Sequence, residues 1–426
     1  MPTLSRRDFA RLLAVSGPAT LLARPGVATA EPTPPLPRAP VAPDERFWAK
    51  VRARFLLPDR MAFMNAANLC PTPRPVVESL ERWTRMLESD PSPATRARLP
   101  DAREATRALV AEFLGVAPED IVLTRNTSEG NNLVSSGLAL GPDDEVVVFA
   151  DNHPSALRAW HVKAERFGYK VVVVPQANPH PGLDYYVDAF TRALTPRTRV
   201  LAFSHVTNTA GDVLPAAELC RVARERGVLT LVDGAQTFGV LAVRPGEMGA
   251  DCYTGSAHKW LCGPKETGVL YIRREVQDRL LPSVVSLYAG RVGASRTLEA
   301  MGQRDEPALA ALGDAVRFQT GIGRAAIEAR ARELAQALIA GLRRLDGVTL
   351  WTHPDPERSA AVVSFRPAGL DVPRLATALY EEDGVVCAGR GGDDRPGIRL
   401  SPHLYNSLDE VDRAVAAIGR LLKSGV

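Results

Sequence analysis

Residues 251–260, Asp251-Cys252-Tyr253-Thr254-Gly255-Ser256-Ala257-His258-Lys259-Trp260, decide how this chain is read. A short apolar run, 251–255, delivers a small polar residue and then a lysine, and a second apolar run begins near Gly268. Only six of the 52 basic residues are lysine, so a lysine inside a patterned segment is hard to attribute to chance. Held at the end of a buried strand, its amine loses solvation. Its pKa falls and it becomes a nucleophile for carbonyl carbon, which is Schiff-base chemistry. The run is one of seven: 121–124, 145–150, 171–175, 200–204, 228–233, 251–255 and 268–272 are near-continuous and β-branched. Such strands belong to a sheet covered by helices on both faces. Helical patterns at 131–140, 156–167 and 216–226 alternate with them, the last two followed by Gly168 and Gly227 as C′ glycines. The expected fold is therefore α/β, three-layered around seven strands. Beyond about residue 290 the texture changes to amphipathic helix (309–318, then 323–345) and short strands near Leu350, 361–365 and 398–400, the pattern of a smaller α+β domain.

Other predicted strands also end on chemically apt residues. Val232-Asp233-Gly234-Ala235-Gln236 places a carboxylate at a strand's C-terminal end, where open α/β sheets bind ligands. Buried there, it needs a cationic partner, and a protonated pyridine nitrogen would serve. Thr124-Arg125-Asn126-Thr127-Ser128-Glu129-Gly130-Asn131 runs from a strand into a helix start, where hydroxyls and free N–H groups suit a phosphate. Asn152-His153-Pro154-Ser155 offers a flat imidazole, and Ser204-His205-Val206-Thr207-Asn208 an amide suited to a phenolate oxygen. One such strand end has a bland explanation as a cap or a loop; five together do not. No G-x-G-x-x-G opens a helix after a strand, which removes a nicotinamide-dependent dehydrogenase.

These segments, in this order, resemble the class V aminotransferase family of fold type I pyridoxal 5′-phosphate (PLP) enzymes. The resemblance spans roughly 61–420 and rests on Thr127-Ser128-Glu129-Gly130-Asn131-Asn132 for T-x-E-x-x-N, His153-Pro154-Ser155 before Trp160, and Ser204-His205-Val206-Thr207-Asn208 for S-H-V-S-N. Asp233-Gly234-Ala235-Gln236 and Ser256-Ala257-His258-Lys259 complete it. It implies PLP as cofactor and a seven-stranded, mostly parallel sheet. Lys259 would be the Schiff-base lysine, Asp233 the partner of the ring nitrogen, and His153 the stacked ring. Asn208 and Gln236 would face the phenolate oxygen, and Thr127, Ser128, Ser256 and His258 would hold the phosphate. Lys265, in Gly263-Pro264-Lys265, is the weaker candidate for the link because no phosphate-binding serine or histidine adjoins it. Arg399 matches the family's substrate-carboxylate arginine and Asn65 its N-terminal pocket segment. Gln303 stands where a threonine of the isopenicillin N epimerase-like branch reaches a neighbouring subunit's phosphate, so a homodimer is implied.

The reaction is narrowed by a departure. Cysteine desulfurases carry a loop thiol in R-x-G-x-x-C, whereas here Cys387 precedes the loop and the loop has none. An aminotransferase or epimerase type of reaction on an amino-acid-containing substrate is expected. A C–S lyase or desulfurase-like enzyme is the alternative, and a silent PLP-fold binding protein the alternative of another class.

Residues 1–30 read as a twin-arginine export signal, with Ser5-Arg6-Arg7-Asp8-Phe9-Ala10, an apolar stretch and Ala28-Thr29-Ala30. Its partner would be the twin-arginine export machinery and its destination the periplasm or exterior, where a secreted peptide or siderophore precursor is a plausible substrate. The apolar stretch is too short and interrupted to span a bilayer. A Pro-rich linker, 31–43, and an N-terminal segment, 44–60, lead to a large domain expected over 61–300 and a small one over 301–426. Residues 1–30 carry four arginines and one acidic residue, leaving 48 basic and 48 acidic residues elsewhere. A neutral body argues against nucleic acid as partner. Seven histidines and five cysteines show no metal-ligand spacing, so no metal site is expected and the thiols read as single buried groups.

Overall fold

The computed structural model describes residues 39–392 and 394–426. The predicted export signal and the linker up to residue 38 lie outside the described residues. The strands are β1 (Ala62–Phe63), β2 (Ile121–Thr124), β3 (Glu145–Phe149), β4 (Lys170–Val174), β5 (Thr198–Ser204), β6 (Leu229–Asp233), β7 (Cys252–Ser256), β8 (Gly268–Ile272), β9 (Val348–Leu350), β10 (Val363–Pro367), β11 (Val385–Val386), β12 (Ala388–Arg390) and β13 (Gly397–Leu400). Seven of them form the large sheet in the order β2-β8-β7-β6-β5-β3-β4, with β8 antiparallel to both neighbours and every other pair parallel. This is the α/β architecture the apolar runs required.

The strand composition explains the layering. In β2, β3, β6, β7 and β8 every residue is buried, as a sheet covered on both faces demands. Edge strand β4 is buried only at Val174 and opens on exposed Lys170, a charge that blunts a free edge. Helices Pro154–Phe167, Leu183–Ala193 and Ala216–Glu225 make the crossovers. Gly168 and Gly227 take the left-handed backbone the C′ position requires, at φ 85° and 68°. The helix expected from residue 131 instead runs Thr127–Gly137, because the Asn126 side chain accepts the Glu129 N–H at 3.0 Å and starts it earlier. The long C-terminal pattern is divided into Glu306–Ile322 and Arg324–Leu342 by Gly323, at φ 105°.

The second sheet, β12-β13-β10-β9, is antiparallel throughout, and Leu375, Leu379, Val411 and Ile418 from two helices cover it. The divide between cores does not fall at residue 301. Helix Glu306–Ile322 packs on helices Arg74–Ser89 and Arg98–Leu114 and gives Leu309, Leu312 and Val316 to the larger core. Helix Arg324–Leu342 begins in that core with Ile327 and ends in the second with Leu338 and Leu342. Ala62 and Met64 also join the second core, through parallel pairing of β1 with β11.

Candidate active site

The chain steps from β3 outward to β4, then returns and grows the sheet the other way through β5, β6 and β7. The reversal lies between β3 and β5, and a crevice opens there at the carboxyl ends of the strands. Asn152 closes the join: its amide donates to the Ala202 carbonyl at 3.0 Å and accepts the Ser204 N–H at 2.7 Å. The residues singled out on strand ends therefore converge on one edge of the sheet.

Asp233 ends β6 and is 6% exposed. The Asn131 amide donates to its Oδ2 at 2.9 Å and the Ala235 N–H to its Oδ1 at 3.0 Å, and no cation pairs with it among the described residues. A buried carboxylate held by two neutral donors has capacity for a cationic partner. Of the two adjacent asparagines that end the T-x-E-x-x-N segment, Asn132 turns to Ser128 and Lys163, and Asn131 reaches Asp233. Helical phase decides between adjacent residues, and the spacing of the motif does not show it.

Lys259 lies in the turn between β7 and β8, held by Ala257 N–H to the Thr267 carbonyl at 2.8 Å and Gly263 N–H to the Ala257 carbonyl at 2.7 Å. Burial pushes its amine down to about 8; the Asp233 charge opposes the shift and Arg399 adds to it. The His153 imidazole is likewise held below its ordinary value by burial and by Lys259, against the attraction of Asp233. His153, Lys259, Asp233 and Arg399 thus share one electrostatic neighbourhood. Lys265 does not share it: its Nζ donates to the Thr72 hydroxyl at 3.3 Å and the Cys70 carbonyl at 3.5 Å.

The predicted phosphate residues meet in part. Thr127 N–H and Oγ1 lie 2.9 and 2.8 Å from Ser256 Oγ, joining the helix start to the end of β7. Ser128 is exposed beside them. His258 is pushed down to about 4 by burial and by Lys259, and its carbonyl accepts the Cys70 N–H. Hydroxyls and an N–H at a helix N-terminus, beside an amine that burial disfavours charging and an unpaired carboxylate, fit PLP by their donor chemistry.

Around the ring position the structure differs from a simple reading. Gln236 accepts the Trp260 indole N–H at 2.8 Å and donates to the Ala67 carbonyl at 3.0 Å, which leaves one amide N–H for a ligand. Asn208 enters through its backbone carbonyl, which accepts Arg399 Nη1 at 2.9 Å. Arg399, on β13 and 7% exposed, also donates to Asn65 Oδ1 at 3.4 Å and has no carboxylate partner among the described residues. Gln303 is exposed, in a groove with Leu287, Tyr288 and Arg304 and none of the strand-end residues. Cys387 sits between β11 and β12 against the second core, and burial pushes its thiol up to about 12. All five cysteines are free.

A three-layer sheet with a buried lysine, an unpaired carboxylate and a helix-start hydroxyl pair at its switch point defines a fold type I PLP-dependent enzyme. The Aminotransferase class-V family matches residues 63–414, and the chain belongs to that family. It is 33% identical over 401 residues to isopenicillin N epimerase of Amycolatopsis lactamdurans, covering 88% of this chain and 99% of that protein. It is 30% identical over 413 residues to a probable cysteine desulfurase of Xylella fastidiosa, covering 90% and 97%. The structure of a cysteine desulfurase from Thermococcus onnurineus superposes with a TM-score of 0.80 at 26% identity, over 88% of this chain and 98% of that one. PLP is the cofactor of the family.

Proposed function

We propose that this chain is an exported PLP-dependent enzyme of the aminotransferase or epimerase type, acting on an amino-acid unit, with a secreted peptide or siderophore precursor as the class of substrate. The observation that carries this reading is the meeting, at the carboxyl edge of the large sheet, of Lys259 with Asp233 and Arg399, the last two buried without a charged partner among the described residues, where burial also pushes the Lys259 amine down to about 8. When bound, PLP supplies an electron sink for negative charge at the carbon next to the amino group. The chain's own residues supply the rest. Asp233 would pair with the protonated ring nitrogen of the bound cofactor. Arg399 presents a planar fork to a carboxylate, which fixes the α-carbon. With a pKa near 8, roughly a tenth of Lys259 is neutral at pH 7, so Nζ can take up a proton and return it.

A desulfurase reading finds support in the relatives and none in the loop. In Arg390-Gly391-Gly392, followed at the sixth position by Arg395, a guanidinium stands where R-x-G-x-x-C has its thiol. That arginine is tied to Asp151 and Asp394 at 2.8 Å.

Borohydride reduction of the PLP-loaded protein is expected to leave the cofactor on Lys259, with loss of the link in Lys259→Ala; peptide mapping of the adduct to Lys265 would overturn the assignment. Incubation with amino acids in deuterated water should give exchange at the α-carbon or conversion of the cofactor to its amine form. Sulfide release from cysteine without either would favour the desulfurase, and bound cofactor with no exchange a silent binder. Export rests on the paired arginines and the A-x-A at 28–30. Arg6→Lys with Arg7→Lys is expected to retain the precursor in the cytoplasm, and normal export of that double variant would refute the route.

A further inference from the structure

Three arginines stand within ten residues at the rim of this site, and the protein neutralises them unequally. Arg395 pairs with Asp151 and Asp394, both at 2.8 Å, with Asp212 at 3.8 Å. Arg390 and Arg399 have no carboxylate within ion-pair distance among the described residues. Both donate to the same carbonyl, that of Asn208, at 3.4 and 2.9 Å. Arg390 adds the Thr209 hydroxyl at 3.3 Å, and Arg399 adds the Asn65 amide oxygen at 3.4 Å. The Nε of each is buried with no partner.

The register explains why the forks converge. β12 and β13 are antiparallel, with Ala388 opposite Arg399 and Arg390 opposite Gly397. Residues two apart on a strand share a face, so Arg390 and Arg399 are diagonal neighbours on one side of the sheet. The acids whose fields reach Arg390 are Asp151 and Asp394, and Arg395 occupies both. Two like charges drawn together and removed from water are unfavourable unless something anionic completes them. A single carboxylate can bridge two guanidiniums, as Glu299 bridges Arg107 and Arg304, but each fork presents a full bidentate edge, and a second anionic group gives each fork its own partner.

We propose that the substrate's amino-acid unit carries a second acidic group, with Arg399 holding the carboxylate beside the reacting carbon and Arg390 holding the second carboxylate. The substrate class is then an acidic amino acid, or a peptide presenting one. This rests on the functional reading above and adds to it the charge of the side chain that the enzyme accepts.

The test uses the PLP-loaded enzyme and matched pairs differing in one charge: aspartate with asparagine, and glutamate with glutamine. Apparent Kd is read from the cofactor's visible absorbance, and calorimetry compares glutarate with butyrate, neither of which has an amine to react. At least about a tenfold preference for the acidic member is expected in one amino-acid pair and for glutarate over butyrate. Arg390→Gln should bring both ratios close to one, and Arg390→Lys, which keeps the charge without the fork, should retain part of them. Ratios near one in the unaltered enzyme, or ratios that survive Arg390→Gln, would overturn the proposal while leaving the PLP enzyme standing. A chain that takes up no PLP would overturn the functional reading and the proposal with it.

Discussion

At the scale of single residues, the site is a set of charges that the fold leaves incomplete. Asp233 is buried with neutral donors only, and Arg399 is buried with neutral acceptors only. Burial, the largest influence on Lys259, stays in place when either neighbouring charge is removed, so the two charges can be tested separately. Asp233 raises the lysine's pKa and Arg399 lowers it. Asp233→Asn is therefore expected to move the Lys259 pKa below about 8, and Arg399→Gln to move it above. The pH dependence of PLP attachment, which requires the neutral amine, reads both: its midpoint should shift acid-ward in the first variant and alkaline-ward in the second. Shifts in the same direction would show that the two charges do not act on Lys259 as the geometry implies. Lys259 was legible in the sequence because lysine is scarce and this one follows a strand end, Asp233 because it ends an apolar run, and Arg399 through the family resemblance. Asn131 and Arg390 were harder to find, since their roles depend on helical phase and strand register, which only the folded backbone fixes.

At the scale of elements, the apolar runs located all seven strands of the large sheet to within about two residues, because a strand buried on both faces leaves a dense hydrophobic signal. The division between cores was not legible. Helix Arg324–Leu342 carries apolar residues in every turn, interspersed with charged ones, and composition does not say which core receives each turn. Close contact between the phosphate-side helix and the sheet also depends on a residue that carries no pattern. At Gly130 a Cβ would stand 2.1 Å from Thr254 Oγ1 and 2.9 Å from Thr254 Cβ. Helix Thr127–Gly137 can approach β7 only because that atom is missing, and the approach brings Thr127 onto Ser256. Gly130→Ala is expected to cost about 1–3 kcal/mol of stability from overpacking and to weaken PLP retention with it. Adding Thr254→Ala, which removes the nearest atom, should recover part of the loss. Urea unfolding of the single and double variants checks this, and a Gly130→Ala protein as stable as its parent would contradict the packing account.

At the scale of the whole molecule, distant parts of the chain meet at the lysine turn. The Trp260 carbonyl accepts Gln319 Nε2 at 2.6 Å from helix Glu306–Ile322 and lies 2.7 Å from His403 Nε2, beyond β13. His403 is fully buried, its edge packs on the Trp260 ring at 5.2 Å between centroids, and its Nδ1 has no partner. The ring is therefore neutral and donates from Nε2. Burial pushes His403 down to about 4, with the bond to the Trp260 carbonyl opposing. The sign of the linkage follows from which state binds the proton. Between pH 6.5 and about 4 the unfolded chain protonates this histidine and the native chain does not, so stability falls as pH falls through that window. At pH 5 the loss from this one group amounts to about 2 kcal/mol. Asp212, raised to about 7 by burial, works in the opposite direction over part of the same range, so the pH profile of one protein alone would mix the two. Comparing it with His403→Gln separates them, because glutamine keeps an N–H donor for the Trp260 carbonyl and does not titrate. Urea midpoints of the two proteins should converge as pH is lowered from 7 to 5, the histidine protein losing stability faster. Parallel profiles would mean that His403 takes up its proton as readily in the native chain as in the unfolded one, so that burial does not hold the ring neutral; profiles that diverge, the histidine protein gaining stability as pH falls, would mean that the native ring already carries its proton and anchors the lysine turn as a cation.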